Sequence, residues 1–127
     1  MAKSSDPDIH AAEKALGEDL LRIHVDSYGK GAACATVHIL DDSVVCFLDG
    51  LELQPSEEFL VASGRGEAVV DVRGRYEDAI ETTFSAAVER ATGRRVTSFA
   101  SITKLDPNYG LEVFRLGPRH GEQLQEP

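Results

Sequence analysis

The stretch Val88-Glu89-Arg90-Ala91-Thr92-Gly93-Arg94-Arg95-Val96 decides the fold, because a long amphipathic helix stops there and a β-hairpin begins. Upstream of it, Val69, Val72, Tyr76, Ile80, Phe84, Ala87 and Ala91 recur at three- and four-residue steps. That spacing lays one apolar stripe along a helix of about six turns. Gly93 suits the left-handed conformation that closes a helix, and Arg90, Arg94 and Arg95 stand where the negative end of the macrodipole favours cations. Beyond Arg95 the apolar period falls to two, the spacing of a strand.

Working outward, Asp6-Pro7-Asp8 is a cap-like start to a first helix. Its apolar line is Ile9, Ala12, Leu16, Leu20, Ile23 and Ser27, widened by Leu21, Val25 and Tyr28 and ended by Gly29 and Gly31. Two β-rich runs follow, Ala33 to Leu40 and Ser43 to Gly50, separated by the turn formers Asp41-Asp42. Gln54-Pro55-Ser56-Glu57-Glu58 opens a short helix through Phe59 and Leu60, and Ser63-Gly64-Arg65-Gly66 interrupts it before the long helix. A second hairpin pairs Arg95–Lys104 with Tyr109–Leu116 around Asp106-Pro107-Asn108. The expected class is α+β, a two-layer domain of order α-β-β-α-α-β-β with helices on one antiparallel sheet. One domain is expected over residues 9–117, between a disordered N-terminus (1–8) and a flexible tail (118–127).

A hairpin turning at Asp41-Asp42 fixes strand parity. Ala35, Val37, Ile39, Val44, Cys46 and Leu48 then share a wholly apolar face that belongs under the helices. The opposite face, Cys34, Thr36, His38, Val45, Phe47 and Asp49, is too mixed for a core and too apolar for a bare surface. In the second hairpin Phe99, Phe114 and Leu116 share one face, and Ile102, Leu111 and Val113 the other. A partner against the sheet is therefore expected, with His38, Val45, Phe47 and Phe99 as interface residues and a homodimer as the simplest assembly.

Composition narrows the partners. Across 127 residues, thirteen Lys and Arg against twenty-two Asp and Glu give a net charge of -9, a field that works against nucleic acid and anionic membranes. No apolar run approaches the roughly 20 residues needed to cross a bilayer, so no direct membrane insertion is expected. The N-terminus lacks the order of a secretion signal, and a soluble, cytoplasmic protein with reduced Cys34 and Cys46 is the expectation.

Few residues argue for chemistry. Cys34 and His38 share a strand face but stand about 13 Å apart along it, and Cys46 points the other way, so no metal site is expected. His24 reads as a helix-surface or interface histidine without a visible carboxylate partner. The acids Glu57, Glu58, Glu67, Asp71, Glu77, Asp78, Glu81 and Glu89 read mainly as solvated helix faces. Lys30 and the Gly64-Arg65-Gly66 loop are weak candidates for holding an anion, and Arg73 joins them as a fork that a carboxylate elsewhere in the structure can take up. No nucleophile elbow, catalytic triad or dinucleotide motif is present, so neither an enzyme nor a cofactor is expected.

Tyr28-Gly29-Lys30-Gly31, Leu48-Asp49-Gly50-Leu51, Gln54-Pro55-Ser56-Glu57 with Leu60, Val70 to Arg73, Val88 to Val96 and Glu112-Val113-Phe114-Arg115-Leu116 form an ordered set. As a set they resemble the YbcI family, a small bacterial family also known as the MpsC-like domain of a Na+-translocating membrane-potential-generating system. The likeness runs from about Leu16 to Leu116. Ala32 stands where the family tends to carry proline, and Gln54 where it tends to carry threonine. The resemblance implies an association with membrane-potential generation or inorganic-carbon uptake, through neighbouring membrane transporter components. The expected role is a non-enzymatic soluble accessory or interaction module; the alternative is a small-ligand or anion sensor in stress signalling.

Overall fold

Helix α1 (Pro7–Tyr28) starts where the Asp6 carboxylate accepts the Asp8 N–H at 2.8 Å and Pro7 fills a position that needs no donor. That is two residues before the expected start at Ile9. The computed structural model describes residues 6–29 and 31–119. Strands β1 (Cys34–Ile39) and β2 (Ser43–Asp49), helices α2 (Pro55–Ala62) and α3 (Gly66–Thr92), and strands β3 (Val96–Lys104) and β4 (Tyr109–Leu116) complete the order. The class is α+β, with the expected succession α-β-β-α-α-β-β. The expected loose ends fall mostly on residues 1–5 and 120–127, which lie outside the described residues.

All four strands form one antiparallel sheet in the order β1-β2-β4-β3. The first hairpin has the register read from its turn, Cys34 opposite Asp49 and Ile39 opposite Val44. Strands β2 and β4 then join the two hairpins, Val44 facing Phe114 and Cys46 facing Glu112. Helix α1 packs over β1, α3 over β3, and the two helices touch each other. Between them and the sheet lie Leu16, Leu20, Val37, Val44, Cys46, Leu48, Phe84, Val88 and Phe114, all essentially without solvent contact. Burial on this scale is the main force holding the two layers together.

The junction that announced the fold is also its tightest corner. Gly93 closes α3 at φ 71°, donating its N–H to the Glu89 carbonyl at 2.8 Å. Glu89 accepts the Val96 N–H at 2.8 Å through its carboxylate, and so starts β3. Arg94, expected to serve as helix-capping charge, does something more specific. Its guanidinium donates to the carbonyls of Asp41 and Gly117 and, at 2.9 Å, to the Asp42 carboxylate. It thereby clamps the far hairpin turn to the end of β4.

Both long helices are rotated relative to the apolar lines expected of them. In α3 the buried line is Val69, Arg73, Glu77, Phe84, Ala87 and Val88, while Val72 and Tyr76 are 61% and 41% exposed. In α1 it is Glu13, Leu16, Gly17, Leu20 and His24, with Val25 left at the surface. Glu13 shows one reason for a buried acid: its carboxylate accepts the Ile39 N–H at 2.8 Å and stitches α1 to the edge strand β1. Glu13→Ala is expected to lower stability by about 2 kcal/mol, the usual range for a hydrogen bond to a charged group. Urea denaturation checks it, and an unchanged midpoint would mean that water replaces the bond freely.

Candidate functional site

Three elements turn ionisable side chains into the same interior region. His24 and Tyr28 stand one turn apart on α1, Arg73 and Glu77 one turn apart on α3, and Glu112 rises from β4 between the inward positions of Gly110 and Phe114. His24, Arg73, Glu77 and Glu112 are each no more than 3% exposed. Residues of these types are rarely this buried, so the arrangement calls for a reason beyond packing.

Arg73 is held through its Nε and Nη2. Its Nε donates to Glu57 at 2.7 Å and its Nη2 to the other oxygen of the same carboxylate at 2.9 Å, a two-point fork, while Nη2 also reaches the Glu52 carbonyl at 3.3 Å. The guanidinium carbon lies 4.6 Å from the centre of the Tyr28 ring, within cation–π range. Glu57 in turn accepts the Gln54 N–H at 2.7 Å, which fixes the start of α2. Burial alone would raise the Glu57 carboxyl, but the Arg73 fork and the Gln54 amide outweigh it and hold it below the usual range. One guanidinium thus joins α1, α2 and α3. Tyr76, tilted edge-on to Tyr28 at 4.7 Å, donates its hydroxyl to the Ser27 carbonyl at 2.6 Å and closes the cluster from outside.

Below Arg73 lies a carboxyl pair. Burial pushes Glu77 up to about 9, and the neighbouring Glu112 adds to the rise. Glu112 moves in the same direction, again through burial. Its cross-strand neighbours on the helix-covered face are Cys46 and Ser101. Burial likewise raises the Cys46 thiol to about 12 and lowers His24 to about 4, with the Arg73 charge adding to the effect on His24. Among the described residues, Glu77 Oε2, both Glu112 oxygens, Tyr28 Oη and His24 Nδ1 have no hydrogen-bond partner. The groups nevertheless act on one another at close range: Glu77 interacts with Glu112 and with the Tyr28 hydroxyl, and Glu112 with Ser101, through looser side-chain hydrogen bonds that shift their proton affinities. At neutral pH, Glu77 is therefore protonated and His24 uncharged.

The anion candidates do not converge. Arg73 is held by Glu57, Arg65 stands exposed just before α3, and Lys30 lies outside the described residues. Cys34 is exposed and Cys46 buried on the opposite sheet face, so the two thiols cannot meet. Among the described residues no group of three or more His, Cys, Asp or Glu side chains is placed to hold a metal ion. Of the interface candidates, His38, Val45 and Phe47 occupy the sheet face away from the helices, where His38 meets the edge of the Phe47 ring at 6.3 Å. Phe99 does not. It packs beneath the helices against Phe84 and Phe114, with ring centres 6.3 and 5.1 Å away. The register between β3 and β4 puts Ala100 and Ile102 outward in its place.

That outward face is built of two apolar rows running across all four strands, Thr36-Phe47-Leu111-Ile102 and His38-Val45-Val113-Ala100. Ile102 is half exposed, and among the described residues no helix packs over the rows.

A family model described as the Na+-translocating membrane potential-generating system (MpsC) matches residues 9–117. The chain belongs to the MpsC family. No curated protein and no solved structure matches it. The MpsC match takes in both the buried cluster and the open sheet face. Among the described residues no helix is long and apolar enough to cross a membrane. Gln54, which departs from the threonine expected of MpsC-like chains, donates its side-chain amide to the Tyr28 carbonyl and ties α2 to the end of α1. A threonine side chain is too short for the same reach.

Proposed function

We propose that the protein is a non-enzymatic, soluble and cytoplasmic accessory module of a membrane-potential-generating system, and that it self-associates through its open sheet face. The observation that carries this reading is the pair of apolar rows left without a covering helix. An antiparallel sheet is normally apolar on its covered side and polar on its free side, and here the free side is apolar in its middle. The family description supports the link to a membrane system.

A second copy of the chain is the occupant that fits the charges. The whole chain carries -9, yet among the described strand residues the outward rows and their rims carry one acid, Asp49, against Lys104 and Arg115. Two copies meet there with less repulsion than on any acidic helix face. Asp49 and Arg115 lie at opposite ends of the face, so a two-fold axis across the strands brings each toward its opposite on the partner. In plan the face covers about 460 Å², from strand spacing and rise. That is near the low end for a specific contact, so the association should be reversible.

Light scattering across a concentration series is expected to show the mass rising from one chain toward two, and Phe47→Asp should hold it at one chain with an unchanged circular dichroism spectrum. A wild-type mass fixed at one chain would overturn self-association. The accessory role is tested by pull-down from native cells, where transporter components should accompany the wild-type chain.

A further inference from the structure

Strand β3 lies at one end of the sheet, so one side of its backbone has no neighbouring strand. Leu116 donates its N–H to the Asp42 carbonyl at 2.9 Å, on the β2 side of β4. Bonding directions alternate along a strand, so Arg115, Val113 and Leu111 turn to β3, where their partners are Ser98, Ala100 and Ile102. The N–H and C=O groups of Phe99, Ser101 and Thr103 consequently point out from the free edge. Natural edges are blunted by charges, prolines or bulges. Here the bulge between Val96 and Ser98 and the charge of Lys104 guard only the two ends, and Ser98-Phe99-Ala100-Ser101-Ile102-Thr103 between them is uncharged and free of proline.

Beside that edge α3 leaves an open groove of about 480 Å³, bounded by Val70, Asp71, Gly74 and Asp78 on the helix and by Ser101 and Thr103 on the strand. A side chain at Gly74 would meet nothing within 4 Å, so the space beside the strand is clear at that point. The helix wall is acidic. Among the described residues Asp78 makes no salt bridge, and Asp71 pairs with Arg75 at 3.2 Å, between side chains 63% and 80% exposed. A bridge that exposed is weak enough to exchange its cation. Glu81 follows one turn after Asp78 on the same side of α3. A free row of backbone donors and acceptors next to an acidic helix commits the occupant to an extended chain with cationic side chains, the kind of partner that a net charge of -9 also attracts. A second copy is the poorer fit, because edge-to-edge pairing would set its own Asp71, Asp78 and Glu81 against these. We propose that the β3 edge and this groove bind an extended, lysine- or arginine-bearing segment of a partner protein, which adds a fifth strand to the sheet and turns its basic side chains toward α3. The site is made of edge backbone and the α3 wall, not of the outward rows, so it stands apart from self-association through the sheet face.

The probe is an end-blocked peptide of about ten residues alternating lysine and valine, long enough to span the edge from Phe99 to Thr103. It is titrated into the whole protein and followed by backbone amide NMR, where the Phe99, Ser101 and Thr103 amides should shift most. A lysine–proline peptide of the same length and charge cannot complete the ladder, and a glutamate–valine peptide is repelled by the helix wall; both should bind about tenfold more weakly or worse. Gly74→Arg fills the groove with a charge of the peptide's own sign and replaces a helical glycine by a better helix former, so it should keep the fold and weaken the lysine–valine peptide by about tenfold or more. A lysine–valine peptide that does not bind, a lysine–proline peptide that binds equally well, or undiminished binding to Gly74→Arg overturns the proposal. So does a wild-type self-association that Gly74→Arg abolishes and Phe47→Asp does not, since the edge would then belong to a second copy. Phe47→Asp, altered only on the outer sheet face, should bind the peptide as the wild-type chain does, which separates this outcome from that of the self-association experiment.

Discussion

Arg73→Ala is expected to lower the free energy of unfolding by about 3–5 kcal/mol, the range for breaking a buried ion pair from one side. The arginine side chain is 3% exposed and its partner Glu57 16%, so neither charge can recover its lost contact from solvent. Removing the guanidinium leaves Glu57 charged and half-satisfied, deprives the Glu52 carbonyl of a donor, and opens a gap against the Tyr28 ring. Because the same group touches α1, α2 and α3, the damage should reach all three helices. Arg73→Met combined with Glu57→Leu removes both charges and keeps the volume, so it should recover most of the loss. Urea denaturation of the three proteins measures the difference. A loss below about 1 kcal/mol for Arg73→Ala would place the pair among weak surface bridges and contradict its burial.

The second large effect is an inverted response to pH. Glu77 has an ordinary value of 4.5 and rises to about 9 in the folded chain, so the native state binds more protons than the unfolded one throughout that window. Its contribution is complete below pH 4.5 and is lost as pH climbs toward 9. His24 works the other way: its value falls from 6.5 to about 4, so its contribution is complete above pH 6.5 and is lost on acidification. The two slopes offset one another between pH 4.5 and 6.5. Stability should therefore be greatest there and should fall above it by up to about 1.4 kcal/mol per pH unit for one group. Glu57, held low by Arg73, loses its contribution as pH falls and adds to the decline on the acid side. Chemical denaturation in choline buffers from mildly acid to pH 9 reads the slope, and Glu77→Gln should flatten the alkaline limb. A wild-type chain equally stable at pH 6 and pH 9 would show that the carboxyl pair is solvated.

Sequence reasoning carried the architecture well, because elements and turns are written in local spacing. The turn at Asp41-Asp42 gave the β1–β2 register correctly, and Gly93 marked the helix end to the residue. It misplaced the buried lines of the helices because it counted only apolar residues. Val72 and Tyr76 looked more interior than Arg73 and Glu77, and a spacing of four between two charges carries no sign of being turned inward. The order of the strands was likewise not legible, since pairing between β2 and β4 leaves no local mark. Glu112 was within reach. It alternates with Phe114 and Leu116, which already shared a face, so its parity put it in the core. What hid it was the prior that an acid faces water. The same parity, with the bulge between Val96 and Ser98 that shifts the start of β3, separates Phe99 from the outer face where it was expected.

The strand order also governs how the chain must assemble itself. Each hairpin closes a short loop, and each is flanked by the helix that covers it, so α1 with β1 and β2, and α3 with β3 and β4, are two local units. The seam between them pairs Asp49 with Tyr109 and Ser43 with Arg115, partners 60 to 72 positions apart. Contacts that distant pay their loop entropy before they return any stability, so the seam is expected to form last and to set the folding rate. In folding, the chain is expected to behave as a tethered pair of half-proteins that recognise each other along one strand edge and across the contact between α1 and α3.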